Sequence, residues 1–350
     1  MLNDHYGLTG RPFQLTPDSR FWFESATHSK AMAYLGYGLA QGEGFVVVTG
    51  EIGSGKTTLM GHLLETVDPA RVNAIRIAST QLSGEDVLRM VAAGLGLQGH
   101  TGGKGALLDD IETALLDRAR KGQKTLIIVD EAQSLPLATL EELRMLSNIQ
   151  AGEHSLVQIF MLGQPEFRDR LASSPELEQL RQRIIATHHL TAMEPFEIRP
   201  YVEHRMKLVG WRGNPGFTED AWATIHANSG GIPRRVNNLM TRILLAGSME
   251  NVALIDASLV QAVAEDMARD DALGSDSQRI ADLNAARPAS AEPAPEAAAL
   301  DQAARIAMLE ARVQEQDAAL RRMLAMLIDW AEAEPQPPQA GIQFYRAPVA

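Results

Sequence analysis

Residues 45–59 read FVVVTGEIGSGKTTL, and this stretch decides the fold of the chain. A short apolar run leads into a glycine-rich turn, and Lys56, Thr57 and Thr58 then open a helix-forming stretch. This is the complete pattern G-x-x-x-x-G-K-[ST] of a phosphate-binding loop, in the strand–turn–helix context that it requires. Glycines allow consecutive backbone N–H groups to curve around an anion, and the start of the helix adds further donors. The stretch therefore predicts a nucleoside-triphosphate site.

The polar residues of this loop have distinct predicted roles. Lys56 can reach the β- and γ-phosphates, and the hydroxyl of Thr57 can complete the shell of a Mg²⁺ ion. Arg234 follows a Gly-Gly-Ile-Pro turn at the start of a later helix, from which it can swing onto the nucleotide. The residues predicted to bind the nucleotide are Gly50, Glu51, Ile52, Gly53, Ser54, Gly55, Lys56, Thr57, Thr58 and Arg234.

Composition limits the class of protein. A chain of 350 residues with 45% hydrophobic residues is long enough for one large or two modest domains plus accessory segments. Its net charge of −12 argues against a surface that attracts nucleic acid everywhere, although a local basic groove stays open. The absence of cysteine excludes disulfides and cysteine-ligated metals.

Targeting signals are also missing from the sequence. The chain has no apolar run of about 18 residues, and its amino terminus lacks the basic and apolar regions of a signal peptide. We therefore expect a cytoplasmic protein without a transmembrane segment of its own, which reaches the inner membrane, if at all, through partners.

Five short, β-branched apolar runs alternate with helical patterns over the first 190 residues. Such alternation predicts an α/β fold with a parallel sheet buried between helices. The predicted strands are Phe45–Thr49, Val72–Ala78, Thr125–Val129, Leu156–Leu162 and Ile184–Leu190.

The composition changes twice after the last predicted strand. Four helical patterns between residues 197 and 268 predict a small all-helical lid, and an Ala/Pro-rich stretch follows that cannot bury enough surface to fold. A later segment has apolar residues near heptad spacing with one break, which leaves a coiled coil and a solitary amphipathic helix equally open. The predicted domains are 1–192 (core), 193–270 (lid), 271–300 (disordered linker), 301–330 (helix) and 331–350 (flexible tail).

A second motif supplies the acids that hydrolysis requires. The apolar run Leu126–Val129 ends in Asp130 and Glu131, which places both carboxylates at the carboxyl edge of a strand. Asp130 is predicted to bind Mg²⁺, and Glu131 is predicted to hold and polarise the attacking water. The alternative role, a helix amino-terminal cap, is disfavoured by the continuous strand before the pair.

Three further residues are candidates for transition-state stabilisation. Gln164 ends the fourth predicted strand, where a polar side chain would lie between the γ-phosphate and the water; a turn residue before proline is the alternative. Arg181 and Arg183 precede the last strand, a place suited to donating a cation to a neighbouring subunit. Each arginine has a solvated surface charge as its alternative role.

Short motifs accompany this order of parts over residues 1–268. They are Tyr6–Leu8, Pro12–Phe13, Thr16–Asp18, Gly42–Phe45, Gly50–Gly53, Val129–Gln133, Gly163–Glu166, Leu180–Arg183 and Gly231–Arg235. On these residues the chain resembles the AAA+ ATPases and, more narrowly, the ATPases of the general secretion pathway A (ExeA-like) family. The branch associated with exosortase and exopolysaccharide loci is the most similar.

The resemblance implies roles for the residues above. Gln164 takes the sensor-1 place, Arg181 or Arg183 the arginine finger, and Arg234 the sensor-2 place. It also implies a sheet of five parallel strands with the phosphate-loop strand at its centre, and ATP bound between subunits of a homo-oligomer.

Three functions stay open at this stage. The first is a ring-like Mg²⁺-dependent ATPase that energises or regulates polysaccharide export or secretion through membrane-associated partner proteins. The second is a DNA-binding regulator of the transposition-helper type, whose basic channel would need Arg168, Arg170, Arg234, Arg235 and Arg242. The third is an interaction scaffold in which the nucleotide only switches conformation.

Overall fold

The computed structural model describes residues 2–14, 16, 18–78, 82–97 and 102–270. The predicted linker, carboxyl-terminal helix and tail lie outside these residues. The strands are β1 (Phe45–Gly50), β2 (Val72–Ala78), β3 (Lys124–Asp130), β4 (Gln150–Ala151), β5 (His154–Ser155), β6 (Val157–Gly163), β7 (Ile184–Leu190), β8 (Gly216–Phe217) and β9 (Leu254–Ile255). The helices are α1 (Leu2–Tyr6), α2 (Ala26–Gln41), α3 (Lys56–Thr66), α4 (Gly84–Gly94), α5 (Lys104–Arg120), α6 (Leu137–Leu146), α7 (Pro165–Ser173), α8 (Glu178–Arg181), α9 (Pro195–Leu208), α10 (Glu219–Ser229), α11 (Pro233–Met249) and α12 (257–270).

The main sheet has five strands in the order β2-β3-β6-β1-β7, and every neighbouring pair is parallel. The predicted parallel sheet is therefore confirmed, with strand ends that differ from the predicted ones by about one residue. The expected central position of the phosphate-loop strand is wrong. β6 is central, and β1 lies between β6 and the edge strand β7.

Alternate residues of each strand point to opposite faces of the sheet and pack into two apolar layers. Phe45 and Val47 of β1 pack with helices α4 to α7, whereas Val46 and Val48 pack with α2 and α3 on the other face. All six residues of β1 are buried, which is why the strand is apolar throughout rather than alternating.

The lid has an apolar core of its own, built by α9 to α12. Tyr6, Leu8, Phe13 and Phe21 of the amino-terminal segment belong to this core, and Thr9 N–H donates to Val209 O at 2.8 Å. The lid is helical apart from the two-residue parallel pair β8–β9. We propose to keep the boundary near residue 192 and to count the first apolar residues with the lid, because they pack there.

Sheet and lid belong to one compact unit. Among the residues that the structure describes, no helix combines the length and apolar character needed to cross a membrane.

Candidate nucleotide-binding and hydrolysis site

The phosphate loop connects the end of β1 to the start of α3. Gly53 (φ +87°) and Gly55 (φ +97°) adopt left-handed backbone conformations that favour glycine. Close neighbours exclude a side chain as well: a Cβ on Gly53 would lie 2.4 Å from Arg234 Cβ, and one on Gly55 would lie 2.7 Å from His28 Nε2. The two glycines are therefore required by the backbone and by packing.

Lys56 is buried at the first position of α3. Its Nζ donates to the carbonyl oxygens of Gly50 (2.6 Å) and Glu51 (3.0 Å), so the ammonium is held over the loop. Burial lowers the pKa of Lys56, while the charges of Glu131 and Asp130 act in the opposite direction. The lysine and the two predicted acids therefore share one electrostatic neighbourhood.

Asp130 ends β3 and is only 6% exposed. Burial raises the pKa of Asp130, and a guanidinium nitrogen of Arg76 stands 3.7 Å from its carboxylate and opposes that rise. The hydroxyl of the half-buried Thr57 and this carboxylate are hard oxygen donors, the class of ligand that Mg²⁺ prefers. The chemistry of this donor pair fits a magnesium ion.

Glu131 lies in the left-handed region (φ 54°, ψ 43°), which is unusual for a residue with a Cβ. Its carboxylate accepts hydrogen bonds from the side-chain amides of Gln133 and Gln164, the latter at 3.1 Å. Backbone strain of this kind persists where the surroundings fix it, and it clusters at functional sites. The conformation and the two amides hold the Glu131 carboxylate at the cleft.

Gln164 follows β6, the strand between β1 and β3. Its backbone N–H donates to Gln133 Oε1 at 3.0 Å, so Gln133 connects the two neighbouring strand ends. Gln133 lies within the motif Val129–Gln133 and had no predicted role of its own. Its position two residues after Glu131 was the available signal.

The lid closes over the same cleft. Arg234 N–H donates to Gly53 O at 3.2 Å, and Arg234 lines the cleft together with Lys56, Glu131 and Gln164. The predicted phosphate-loop residues, the acids, Gln164 and Arg234 are thus brought together.

Arg181 and Arg183 lie elsewhere. Arg181 Nη1 donates to Leu171 O (3.0 Å) and Ala172 O (2.9 Å), and Arg183 Nη1 lies 3.4 Å from Ser147 O. Both precede β7, whose first residue pairs with Phe45 at the amino end of β1. The phosphate loop is at the other end of that strand, so the chain does not bring these arginines to its own cleft.

Aromatic and polar residues also line the cleft. Phe21, Trp22 and Phe23 come from the segment before α2, and Tyr201 and Asn237 come from the lid. Tyr201 OH donates to Asn237 Oδ1 at 2.8 Å. An apolar and aromatic wall with a few fixed polar groups suits a planar base. No sequence motif pointed to it, because its members lie far apart in the chain.

The chain is similar in sequence to known proteins. Residues 39–171 match the family model of the AAA domain. General secretion pathway protein A of Aeromonas hydrophila is 37% identical over 247 residues, which are 70% of this chain and 45% of that protein. The chain thus spans less than half the length of this curated relative.

Solved structures share the fold at low identity. The Aeropyrum pernix ORC2 protein (ADPNP–ADP complexes) has a TM-score of 0.52 at 16% identity and covers 73% of this chain and 71% of its own. Drosophila ORC bound to DNA gives 0.53 at 15% identity, with 76% and 65% covered. At this identity the likeness concerns the fold alone.

Fold and site together define a P-loop protein of the AAA+ class. The chain contains an AAA domain, and 70% of its length is similar to general secretion pathway protein A. The resemblance stated from the sequence is confirmed at this level, and the exosortase-associated branch stays a prediction.

Proposed function

We propose that this chain is a Mg²⁺-dependent ATPase. The observation that carries the proposal is the Glu131 carboxylate, fixed by two side-chain amides at the mouth of a complete phosphate loop. A nucleotide-binding module without hydrolysis would not need a carboxylate held in a strained backbone conformation at that place.

Each residue of the cleft then has a task. The loop N–H groups and Lys56 bind the phosphates, and Arg234 adds a cation from the lid. Thr57 and Asp130 would hold the magnesium ion, which supplies charge neutralisation at the β- and γ-phosphates when bound. Glu131 accepts a proton from the attacking water on a carboxylate oxygen, while Gln164 keeps that carboxylate in place and presents its amide to the γ-phosphate.

Calorimetry with Mg·ATP tests the first step. Wild-type protein should bind, and Lys56→Ala should bind at least about 100-fold more weakly, because a buried ammonium–phosphate contact is lost. Lys121→Ala, at the exposed end of α5, is the matched control and should bind as wild type does. If the wild-type protein gave no heat of binding with Mg·ATP, the proposal that this chain binds and hydrolyses ATP would be contradicted.

The proposal also concerns the oligomeric state of the ATPase and the process that it serves. The relative's name, general secretion pathway protein A, supports a role in secretion, and the distant arginines support a homo-oligomer in which a neighbour completes the site. We infer that the ATPase works on the cytoplasmic side of the inner membrane with membrane-associated export or secretion proteins, polysaccharide exporters among them.

Two experiments test assembly and pathway separately. If a neighbouring subunit completes the site, turnover per chain should rise with protein concentration. A chromosomal Glu131→Gln allele should impair export, and normal export with that allele would contradict the transport role.

The DNA-binding alternative has weaker support. Arg170 donates to Leu135 O at 2.8 Å, Arg242 pairs with Asp270 at 2.7 Å and Arg168 stands 3.4 Å from Asp169. Three of its five arginines are thus engaged within the chain, while Arg234 lies at the phosphate loop. Duplex DNA titrated at two salt concentrations should give weak binding; tight binding that falls steeply with salt would favour the regulator instead.

A further inference from the structure

The first turn of α2 is bound to several parts of the molecule at once. Ala26 N–H donates to Glu197 Oε1 of the lid helix α9 at 2.8 Å. Thr27 Oγ1 accepts a hydrogen bond from Thr191 N–H, in the connection between β7 and the lid, at 3.1 Å. The turn therefore joins the lid and its connection to the core, and its next residue reaches the phosphate loop.

That residue is His28, whose ring is buried directly behind the loop. Its Nδ1 lies 2.6 Å from Ser25 Oγ, the N-cap of α2. Its Nε2 is so close to Gly55 that a Cβ there would stand 2.7 Å away, and the ring lines the same cleft as Lys56. Burial lowers the pKa of His28 to about 4, partly opposed by a hydrogen bond with the Ser54 backbone, so the ring is neutral at pH 7.

A neutral imidazole with two partners explains why a histidine suits this place. The hydrogen bond with the Ser54 backbone raises the pKa of His28, as expected when the ring donates, so the ring proton is on Nε2 and faces Ser54 and Gly55. Nδ1 then accepts from Ser25 Oγ–H. The ring then acts as a two-ended brace between a helix cap and the loop. An aliphatic side chain would fill the volume and lose both polar contacts.

Glu197 fixes the other side of the same turn. It is 7% exposed, and its second carboxylate oxygen accepts from Glu194 N–H at 2.9 Å. One carboxylate thus caps the first turns of α2 and α9 together, at the positive ends of both helix dipoles.

We propose that His28 is a positioning residue of the phosphate loop. Its imidazole, held by Ser25, keeps the Ser54–Gly55 backbone in the conformation that presents the following N–H groups to the triphosphate. Glu197 ties this brace to the lid. The inference rests on the proposed function, because it concerns how the same site binds Mg·ATP, and it adds a residue outside the phosphate-loop, acid and arginine motifs.

Two substitutions at position 28 test the brace. His28→Leu keeps much of the volume and removes both polar atoms, whereas His28→Gln keeps an amide that can donate toward Ser54. With Mg·ATP, the Kd of His28→Leu should rise about 10-fold or more with kcat within about threefold of wild type, because a pre-organised loop contributes to binding before and during the reaction. His28→Gln should restore the Kd to within about threefold of wild type.

The control is His154→Leu. His154 is an exposed histidine of β5, which pairs with β4, and it does not line the cleft. It should leave the Kd unchanged, and far-UV circular dichroism confirms that all three variants are folded at the assay temperature. Wild-type Kd values in both folded His28 variants would overturn the proposal, as would an equal loss in His154→Leu. If wild-type protein itself failed to bind Mg·ATP, the proposed function would fall and this inference with it.

A double-mutant cycle tests the link to the lid. Glu197→Gln should raise the Kd in the same direction as His28→Leu, and the double variant should bind better than the product of the two single effects predicts, since both act through one turn. Independent, multiplying effects would overturn the part of the proposal that concerns Glu197.

Discussion

Polar residues lie at both ends of the parallel strands of the main sheet, here called the carboxyl edge and the amino edge, and their hydrogen-bond partners differ. At the carboxyl edge, functional side chains bond to one another: Gln164 and Gln133 hold Glu131. At the amino edge, Arg181 and Arg183 bond to backbone carbonyls of their surroundings, and Arg181 also pairs with Glu178. At the carboxyl edge the candidate site residues contact one another, whereas the arginines at the amino edge contact nearby structural groups.

The distance between the edges explains the difference. β7 is seven residues long, so its amino end lies about 20 Å from the phosphate-loop edge. A guanidinium does not span that length, and no rearrangement of a side chain within one chain unites the two sets. The residues of the carboxyl edge can therefore act within one chain. Under the proposed function, the arginines of the amino edge would reach a nucleotide only in another copy of the chain.

The largest effect on turnover is expected from replacing the arginines of the amino edge. Arginine fingers supply about 10³–10⁵ in rate where they have been measured. One of the variants Arg181→Ala and Arg183→Ala should therefore lose turnover by about 10³-fold or more, and the other should stay within about threefold. Phosphate release measured at micromolar protein gives both numbers, and Arg168→Ala, an exposed arginine of α7, serves as the control.

Mixing chains separates a finger in trans from a structural arginine. A Glu131→Gln chain has an intact arginine and cannot hydrolyse, so adding it to the inactive arginine variant should restore part of the activity. Failure of every mixture to recover turnover would leave both arginines as parts of the fold and would remove the distinction between the two edges.

The next largest effect belongs to the carboxyl edge. Glu131→Gln should lower kcat by about 10²–10⁴, the range of a lost general base, while the Kd for ATP stays within about threefold because Lys56 and the loop are intact. Single-turnover hydrolysis and calorimetry measure the two quantities. Glu166→Gln, an exposed acid at the start of α7, should change neither. Normal turnover in Glu131→Gln would move the base to another residue.

The sequence predicted the carboxyl edge well because local patterns determine it. A buried parallel strand must be apolar along its whole length, so the ends of β1, β3 and β6 could be located from composition alone. The residues that follow those ends are then the ones that the fold brings together at the candidate site. The order of the strands was less accessible, since crossovers and not strand composition place β6 in the centre.

Helix α2 has only a weak local signal in the sequence. Gly36 and Gly38 lie inside it, and glycine lowers helix propensity by about 1 kcal/mol relative to alanine. A Cβ on Gly38 would stand 2.4 Å from Val46 Cγ2, so close packing on β1 requires the glycine that weakens the local signal. Because this signal is weak, the sequence provides no structural context for His28 at the first turn of the helix.

The contribution of the amino terminus to the lid was inaccessible as well. Tyr6 OH donates to Val252 O at 3.3 Å across 246 positions of sequence. Contacts of this separation leave no periodicity in either segment, so a boundary drawn from composition assigned the first residues to the core.

The smallest expected effect concerns stability at the carboxyl edge. His28 has a pKa of about 4 in the folded protein against a usual value of 6.5, so between these values the unfolded chain binds more protons than the folded one. The contribution of this group to stability is therefore present above pH 6.5 and is lost as the pH falls toward 4. By linkage, lowering the pH from 7 to 5 should cost about 2 kcal/mol of unfolding free energy through His28 alone.

Urea unfolding of the wild type and of His28→Gln at pH 7 and pH 5 measures this term, since glutamine does not titrate. The wild type should lose about 2 kcal/mol more than the variant over that interval, whatever the other histidines contribute to both. Parallel losses in the two proteins would show that the ring accepts a proton without cost in the folded state. The phosphate loop would then have a solvated rather than a buried support, and the carboxyl edge would be less rigidly assembled than its hydrogen bonds indicate.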